Sequence, residues 1–452
     1  MNTTATATAR QPGNMVNAFD PNNASGVPQR TRDMIARRQR LLGPAYRLFY
    51  ANPVEVCRGQ GVLLYDSQGN EYLDAYNNVV SIGHAHPKVA EAVSRQLGIL
   101  CTHTRYLQDG ILDFAEAILP TFGGRIGHLM MTCTGSEAND LAVRIAKHHT
   151  DRSGIIVTSE AYHGNSELTA SFSPSMGEKS RLGTWVRRVD GPDSYRLDPA
   201  MLGERMAAQV AHEVRELERR GEGLAAFIAD SLFSSDGIYS DPVTLLAPVA
   251  EVVRKAGGLF IADEVQSGFG RSGTHLWGYQ RHGIDPDIVT MGKPMGNGFP
   301  VAGIAVAPEV IQRFGQDMRY FNTFGGNTVA VAAAQATFDV IREDGLMANA
   351  DAVGRHLRDG LAALAKQYAV IGDVRGTGLY IGVEMVRDRA TKEPNREAAL
   401  AVVNGLRERR VLISATGYHA NTLKIRPPLV FAKSHADRLL TELDAVLRTV
   451  AA

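Results

Sequence analysis

Cysteine is scarce in this 452-residue sequence, and neither a long apolar run nor an excess of charge occurs. Cys57, Cys101 and Cys133 are far apart and form no CxxC pair, so neither a disulfide framework nor a thiolate zinc site is expected. No apolar run approaches the ~20 residues that a membrane-spanning helix requires. Because 48 basic residues balance 48 acidic ones, no net field would recruit nucleic acid or an anionic membrane as a partner.

The first residues, MNTTATATARQPGN, lack the charged and apolar regions of a secretory signal. We therefore expect residues 1–30 to form a mobile tail, and we expect a cytoplasmic protein. The composition is that of an ordinary globular protein, with 44% hydrophobic and 21% charged residues. A chain of this length can bury one large core and still support a second lobe.

Short apolar runs alternate with helical segments between about residues 126 and 310. These runs are HLMMTC, GIIVTS, AAFIAD, GLFIAD and DIVTMG. Near-continuous apolar strands separated by helices predict an α/β fold with a mostly parallel sheet that is covered on both faces. In such sheets ligands bind beyond the carboxyl ends of the strands, which is where polar residues follow these runs.

The pattern changes after about residue 330. AVAAAQATFDVIRED predicts an amphipathic helix, and GDVRGTGLYIGVEMV and LKIRPPLVF predict strands of a smaller α+β domain. We therefore predict a large domain over residues 76–330 and a small C-terminal domain over residues 331–452. Residues 31–75, which contain the predicted hairpin GVLLYDSQGNEYLD, are expected to pack with the small domain.

Four segments near the strand ends carry side chains suited to chemistry. Gly135 and Ser136 stand between a strand and a helix, where free amides bind anions, although an ordinary serine N-cap would explain this segment alone. Tyr162 is placed to lie over a flat ring, or is simply packed. Asp263 ends an apolar strand, where it could face a protonated pyridinium nitrogen or cap the next loop. Lys293 follows another apolar strand, where burial lowers the pKa of its amine and favours Schiff-base chemistry.

In this order and spacing, the four segments resemble the class III aminotransferases of the fold type I pyridoxal phosphate enzymes. The resemblance covers the chain after about residue 40. It implies that Lys293 is the Schiff-base lysine of pyridoxal 5'-phosphate and that Asp263 is the partner of the pyridinium nitrogen. The further cofactor-binding residues that it implies are Gly135, Ser136, Tyr162, His163, Val265, Gln266 and Thr323. Thr323, in FNTFGGN, is implied to reach the cofactor of a partner subunit, so a homodimer with shared active sites is expected, alone or paired into a tetramer.

One branch of the family is matched more closely, the ethanolamine-phosphate and phosphohydroxylysine phospho-lyases. The resemblance lies in EYLDAYNNVVSIGHAHPKV, CTHTRYLQD, ADSLFSSDGI and GDVRGTGLYIGVEMV. It implies a small phosphorylated amine as substrate, with ethanolamine phosphate favoured, and conversion by β-elimination to acetaldehyde, ammonia and phosphate.

The substrate-binding candidates follow from the charge of that phosphate, which is almost two near neutral pH. Asn77, Asn78 and Arg105 could donate hydrogen bonds to it, although Arg105 could equally form a structural salt bridge. Arg426 could add a cation to the phosphate or hold a substrate carboxylate, and the residues alone leave both roles open.

Two other functions are alternatives to the phospho-lyase. The first is a class III aminotransferase that passes the amino group of an amine or amino acid to pyruvate, glyoxylate or 2-oxoglutarate. The second, a non-catalytic cofactor-binding regulator, is disfavoured because Lys293 and Asp263 are both retained. No metal is expected, since His84 and His86 have no acidic or cysteine partner spaced to join them, and both are expected to form helix-start hydrogen bonds.

Overall fold

A computed structural model describes residues 15–22 and 26–450 of the chain. The strands are β1 (Arg58–Gln60), β2 (Leu63–Tyr65), β3 (Glu71–Asp74), β4 (His128–Thr132), β5 (Gly154–Thr158), β6 (Val186–Val189), β7 (Leu224–Asp230), β8 (Leu259–Asp263), β9 (Ile288–Met291), β10 (Ala302–Val306), β11 (Ile371–Thr377), β12 (Tyr380–Asp388), β13 (Glu393–Pro394), β14 (Val411–Leu412), β15 (Ser414–Thr416) and β16 (Thr422–Ile425).

The α-helices lie between these strands and before the first of them. They are α1 (Gln29–Leu42), α2 (Pro87–Leu97), α3 (Asp109–Ile118), α4 (Gly135–Thr150), α5 (Glu167–Ala170), α6 (Leu202–Arg219), α7 (Ala247–Lys255), α8 (Pro308–Asp317), α9 (Thr328–Glu343), α10 (Leu346–Gln367), α11 (Arg396–Glu408) and α12 (Lys433–Val450). In the part of the chain described, no helix combines the length and apolar character needed to cross a membrane.

The largest sheet has seven strands in the order β4-β10-β9-β8-β7-β5-β6. Strands β9, β8, β7, β5 and β6 pair in parallel, and every residue of β5, β8 and β9 is buried, as strands covered on both faces require. The predicted α/β fold with a mostly parallel sheet is therefore confirmed. Strand β10 is the exception, because the link from Met291 to Ala302 contains no crossover helix and the chain returns beside β9 in the antiparallel direction.

Helix α4 packs against this sheet through one apolar face. This face is buried and follows the spacing of a helix, with Ala138, Leu141, Ala142, Ile145 and Ala146 as members. The helix begins directly after β4, because the Thr134 hydroxyl accepts a hydrogen bond from the Glu137 amide at 3.2 Å and caps the first turn. This junction brings the first turn of α4 to the carboxyl end of the sheet.

Two smaller sheets complete the molecule. One has the order β1-β2-β3-β14, in which Leu73 and Asp74 pair in parallel with Val411 and Leu412. The other has the order β11-β12-β16-β15, with β13 added at the edge of β12. The N-terminal hairpin of β2 and β3 thus shares a sheet with β14, a strand near the C-terminus. The domain boundaries near residues 76 and 330 stay a prediction.

Part of the predicted mobile tail, residues 1–30, lies outside the described residues, namely 1–14 and 23–25. Within its described part, the Phe19 amide donates to the Leu48 carbonyl at 2.8 Å, and the Tyr50 amide donates to the Asn17 carbonyl at 2.9 Å. The Ser414 hydroxyl also donates to the Asn17 side chain at 3.1 Å. Residues 17–19 are therefore tied to the body of the protein by both backbone and side-chain bonds.

Candidate active site

Lys293 lies just beyond the carboxyl end of β9, at the first position of a 3₁₀ turn, Lys293–Gly296. Its φ of 21° is in a sparsely populated region for a residue with a side chain, a kind of strain that concentrates at functional sites. Burial of the amine lowers the pKa of Lys293 to about 8; Arg426 acts in the same direction, and Asp263 and Asp230 oppose it. The uncharged fraction of this amine near neutral pH is therefore much larger than for an ordinary lysine.

Asp263, the last residue of β8, is held in a buried hydrogen-bond network. Its Oδ2 lies 2.7 Å from His163 Nδ1 and accepts from Asn139 Nδ2 at 2.9 Å, and its Oδ1 accepts from the Val265 amide at 3.1 Å. Burial alone would raise the pKa of Asp263, but the bond and the charge of His163, the Val265 amide and nearby Lys293 outweigh it and lower the pKa. This carboxylate is therefore kept charged, as a pyridinium partner must be.

The adjacent carboxylate, Glu264, has a different task. It accepts four hydrogen bonds, from the hydroxyls of Ser231 and Ser267 and the amides of Gly278 and Tyr279, at 2.5 to 2.9 Å. Burial raises the pKa of Glu264 to about 7, against these bonds. Glu264 therefore anchors the loop after β8, and Asp263 is the strand-end carboxylate whose charge acts on Lys293.

The first turn of α4 presents free amides beside the same strands. Because Thr134 is the N-cap, the ordinary serine cap considered for this segment is wrong, and Ser136 instead exchanges hydrogen bonds with Asn165 at 3.0 and 3.1 Å. The amides of Gly135 and Ser136 belong to the first helical turn, whose N–H groups have no acceptor within the helix. They form a site suited to a phosphate.

Glycines allow the strand ends to approach one another closely. A methyl group added at Gly135 would lie 3.1 Å from both methyls of Val265, and one added at Gly292 would lie 3.4 Å from Gly135. At Gly164 the backbone has a φ of 144°, and an added methyl would lie 2.7 Å from the Ser136 hydroxyl. The segments before Lys293, after Asp263 and around Gly135 therefore converge on one place.

A second cluster of buried polar side chains is centred on Gln266. The Gln266 side-chain oxygen accepts from the Tyr380 hydroxyl at 3.2 Å and from the Arg426 guanidinium, and its carbonyl accepts from Asn78 Nδ2 at 3.4 Å. Arg426 Nε also donates to the Tyr76 carbonyl at 3.0 Å. Asn78, Gln266 and Arg426 thus form one buried group whose charge acts on Lys293.

Two other predicted site residues, Asn77 and Tyr162, form no hydrogen bond with Lys293 or Asp263 among the described residues. The Asn77 side chain accepts a hydrogen bond from the Val79 amide at 3.0 Å, so its amide oxygen serves the local turn. Tyr162 is 41% exposed and directly precedes His163, and partial burial raises the pKa of its hydroxyl. Its ring is therefore open to contact on one side.

Arg105 and Thr323 lie together on an exposed surface. The Arg105 guanidinium stands 3.9 Å from the ring centre of Phe321, two residues before Thr323 in the chain. Within the ranges that the structure describes, no contact joins Arg105 or Thr323 to Lys293. The roles predicted for Arg105 and Thr323 therefore stay predictions.

The expected role of the two histidines before α2 is wrong. His84 Nε2 lies 2.7 Å from Asp74 Oδ2, and the other oxygen of Asp74 accepts from the amides of Tyr76 and Asn77, so His84 supports the 74–78 turn. His86 is the N-cap residue of α2, but its side chain makes no capping bond.

Sequence reasoning missed three buried polar residues of the site: Asn139, Tyr380 and Lys424. Asn139 could have been found, because it is an amide residue next to the apolar face of α4. Tyr380 and Lys424 lie on strands of a different sheet, and nothing in their local sequence indicates that these strands approach Lys293.

These groups fit the chemical demands of pyridoxal 5'-phosphate. Lys293 offers a partly uncharged amine for the cofactor aldehyde, Asp263 a charged carboxylate for the pyridinium nitrogen, and the first turn of α4 offers amides for the phosphate. Gly135 and Val265 lie so close together that a side chain at position 135 would contact the methyl groups of Val265. A narrow space of this kind suits a flat ring.

Comparison with known proteins agrees with this geometry. Residues 49–447 match the family model for the class III aminotransferases. Ethanolamine-phosphate phospho-lyase homolog 1 of Caenorhabditis elegans is 38% identical, over 92% of this chain and 93% of its own length. A Drosophila melanogaster protein named alanine–glyoxylate aminotransferase 2-like is also 38% identical, over 92% of this chain and 87% of its own length.

Two solved structures extend the comparison. A phospholyase from Arthrobacter in complex with phosphoethanolamine has a TM-score of 0.89 and 42% identity, covering 92% of this chain and 100% of that chain. An amine transaminase from an uncultivated Pseudomonas species, in its pyridoxal phosphate-bound form, has a TM-score of 0.81 and 26% identity, covering 88% of this chain and 95% of that chain. The chain therefore belongs to the class III aminotransferase family of fold type I enzymes, with pyridoxal 5'-phosphate as cofactor.

Proposed function

We propose that this protein is an ethanolamine-phosphate phospho-lyase, which converts O-phosphoethanolamine and water to acetaldehyde, ammonia and inorganic phosphate. The observation that carries this proposal is the 42% identity, over 92% of the chain, to the Arthrobacter phospholyase solved with phosphoethanolamine. The C. elegans relative named as a phospho-lyase homolog supports the same substrate class.

In this proposal each candidate residue has a defined task toward the cofactor. Lys293 holds the cofactor aldehyde through Nζ, Asp263 pairs with the pyridinium nitrogen, and the amides of Gly135 and Ser136 bind the phosphate. The remaining contacts are assigned to Tyr162, Val265 and Gln266 around the ring, and to Thr323 from the partner subunit. His163 acts through Asp263, because its Nδ1 lies 2.7 Å from that carboxylate. When bound, pyridoxal phosphate withdraws electrons from the carbon that bears the substrate nitrogen.

Lys293 then moves the proton that the reaction requires. The amine released by the incoming substrate is partly uncharged near neutral pH, because burial lowers its pKa to about 8, so it can accept the proton from that carbon. The bond between the next carbon and the phosphate oxygen breaks, and phosphate leaves with the electron pair. The released enamine takes up one water and yields acetaldehyde and ammonia, so no keto acid is consumed.

Buried donors beside Lys293 are assigned to the substrate. This assignment is supported by two observations: Arg426 and Asn78 both donate hydrogen bonds to Gln266, and the charge of Arg426 acts on Lys293. Asn77 belongs to the same turn as Asn78, and we assign it to the substrate as well, although its side-chain oxygen already accepts from the Val79 amide. A charge-assisted bond from a guanidinium is stronger than one from a neutral donor, so Arg426 is the main anchor.

We further propose a homodimer in which Arg105 and Thr323 serve the partner's site. Around Arg105 the described surface exposes large apolar side chains, which are Leu97, Ile99, Leu100, Tyr106, Leu107, Phe321 and Phe324. Contiguous exposed apolar surface of this kind is typical of a subunit interface. It would place a basic residue and a threonine hydroxyl at the edge of a neighbouring active site.

A class III aminotransferase is the second candidate. The relative from D. melanogaster is named alanine–glyoxylate aminotransferase 2-like, and a buried guanidinium such as that of Arg426 also suits a substrate carboxylate. The two functions differ in their need for a keto acid, because only a transaminase must pass its amino group to an acceptor.

The test compares the two reactions in one preparation. The protein with pyridoxal phosphate is incubated with O-phosphoethanolamine alone, and separately with alanine and glyoxylate. We expect phosphate and acetaldehyde in equal amounts from the first mixture and at most slow glycine formation in the second. Rapid glycine formation without phosphate release would replace the phospho-lyase by the aminotransferase.

A further inference from the structure

Lys424 is a buried lysine beside the site to which no task has been given. It lies on β16, where the alternation of side chains sends Leu423 and Ile425 into the apolar core and Lys424 and Arg426 to the opposite side. Lys424 is only 7% exposed and Arg426 only 6% exposed. The side chains of Lys424 and Arg426 therefore extend from the same face of the strand into the buried polar region next to Lys293.

The structure does not supply Lys424 with a counter-ion. Within the described ranges its Nζ donates only to the Ser234 carbonyl, at a long 3.4 Å. Burial lowers the pKa of Lys424 well below its ordinary value; Arg426 and Lys293 lower it further, and Asp230 raises it. The ammonium form of Lys424 is therefore costly in these surroundings without a ligand, and a bound anion would stabilise it.

Asp230 does not neutralise this charge directly. Its two carboxylate oxygens accept hydrogen bonds at 3.0 Å from the amides of Leu232 and Ser234, and burial raises its pKa. The Asp230 carboxylate is therefore occupied by its own loop. It offers attraction to Lys424 but no hydrogen bond.

A further buried cation lies behind Arg426. Arg271 donates to the carbonyls of Leu379 and Pro427, whereas its Nε and its second Nη find no acceptor in the part of the chain described. Burial, followed by the charge of Arg426, lowers the pKa of Arg271 to about 9. Burial thus disfavours the charged forms of several basic side chains in this region, and a bound dianion would stabilise those charged forms.

We propose that Lys424 is a substrate-binding residue whose ammonium, together with the guanidinium of Arg426, binds the phosphate of a phosphorylated amine. This role rests on the proposed function and adds to it the residue that distinguishes phosphate from carboxylate. A carboxylate carries one charge and is satisfied by Arg426 alone, whereas a phosphomonoester carries almost two and has acceptor oxygens for both side chains. The same ammonium stabilises the charge that the phosphate gains on leaving.

The test begins with Lys424→Met, which keeps the length of the side chain and removes its charge. We expect the KM for O-phosphoethanolamine and the inhibition constant of inorganic phosphate to rise together, by about ten- to a hundredfold, as for the loss of one charge-assisted hydrogen bond. Inhibition by ethanolamine, which has no phosphate, should not change. Lys433→Met, at an exposed position at the start of α12, should leave all three constants unchanged.

A second measurement does not depend on turnover. Inorganic phosphate should raise the unfolding temperature of the wild-type holoenzyme and of Lys433→Met, but not that of Lys424→Met. Because a methionine at this position removes a buried charge, the variant is expected to fold, and Lys424→Gln provides a second substitution if it does not. In the holoenzyme the cofactor phosphate occupies the first turn of α4, so added phosphate reports on the substrate side.

The outcomes separate the two proposals. Phosphate release by the wild type, with unchanged KM, inhibition constant and thermal protection in the variants, would overturn the role of Lys424 and leave the phospho-lyase standing. A parallel rise in the inhibition constants of phosphate and ethanolamine would also overturn it, since that result indicates a general disturbance. A wild type that releases no phosphate would remove the phospho-lyase itself.

Discussion

Lys293 and Asp263 lie in the same buried region, and the fold lowers the pKa of both. For Lys293 burial is the larger cause, and it favours the uncharged amine. For Asp263 burial acts in the opposite direction, but the hydrogen bond and charge of His163, the Val265 amide and the charge of Lys293 outweigh it and keep the carboxylate charged. These are the protonation states that a Schiff-base lysine and a pyridinium partner need.

Lys293→Ala should abolish cofactor chemistry. We expect the absorbance of the covalently held cofactor to disappear and turnover to fall by about a thousandfold or more, because the proton-transferring amine is lost. Lys366→Ala, at an exposed position on α10, serves as the control. A variant at position 293 that retains the spectrum and the turnover of the wild type would exclude Lys293 from both tasks.

Asn139→Leu should weaken the hold on Asp263. The substitution removes one donor to a buried carboxylate, so the pKa of Asp263 should rise and turnover should fall by about tenfold, with looser cofactor binding. The measurement is kcat together with the dissociation constant of the cofactor. Arg144→Leu, at an exposed position on the same helix, should change neither, and equal effects of the two substitutions would indicate a loss of helix stability instead.

At the scale of elements, an ion-pair network joins the strands of the five-stranded sheet. Glu384 on β12 lies 2.7 Å from Arg375 on β11 and 2.8 Å from Arg196, and it also accepts from Thr422 on β16 at 3.0 Å. Burial alone would raise the pKa of Glu384, but attraction to the two arginines outweighs it and lowers the pKa to about 2. The network helps to hold β16, which carries Lys424, in place.

Glu384→Gln should destabilise the protein by about 3 kcal/mol near neutral pH, because it removes the buried anion that the guanidinium groups of Arg375 and Arg196 share. Since the folded pKa is depressed, the wild type has this stabilisation above pH 4.5 and loses it as pH falls toward about 2. Chemical unfolding at pH 7 and at pH 3 measures the difference. If the free energy of unfolding of the variant is lower than that of the wild type by the same amount at pH 3 as at pH 7, the assigned pKa of Glu384 is wrong.

The strands that carry Asp263 and Lys293 could be predicted because each is a short apolar run followed by a polar residue. The antiparallel direction of β10 could not be predicted in this way, since it depends on what the link before it contains. The burial of Lys424 could not be predicted for a related reason. A lysine in a strand is normally a surface residue, and only tertiary packing shows that this one is buried. Sequence periodicity thus located the elements, while contacts between sheets determined the rest of the site.

At the scale of the whole molecule, the main feature is the exposed apolar surface around Arg105. Leu107 is fully exposed and Phe324 is 70% exposed, which is unusual for side chains of this size on a monomer. The position of Arg105 relative to an active site could not be predicted from one chain, because it depends on the arrangement of two subunits.

Leu107→Asp combined with Phe324→Asp should convert the proposed dimer to monomers. Burying two carboxylates in an apolar interface without partners is costly, and sedimentation measurements should show the smaller mass. Activity should fall with dissociation, since Arg105 and Thr323 would no longer reach the partner's site. Met201→Asp, at a remote exposed position, should leave mass and activity unchanged, and a wild type that sediments as a monomer would contradict the shared site.

The most direct measurement of the central claim is the number of phosphate molecules released per protomer from O-phosphoethanolamine with no keto acid present. Elimination returns the cofactor to its starting form in every cycle, so we predict release that continues for many turnovers. A single turnover that stops, with the cofactor left in its amine form and restarted by pyruvate or glyoxylate, would contradict the phospho-lyase and identify a transaminase.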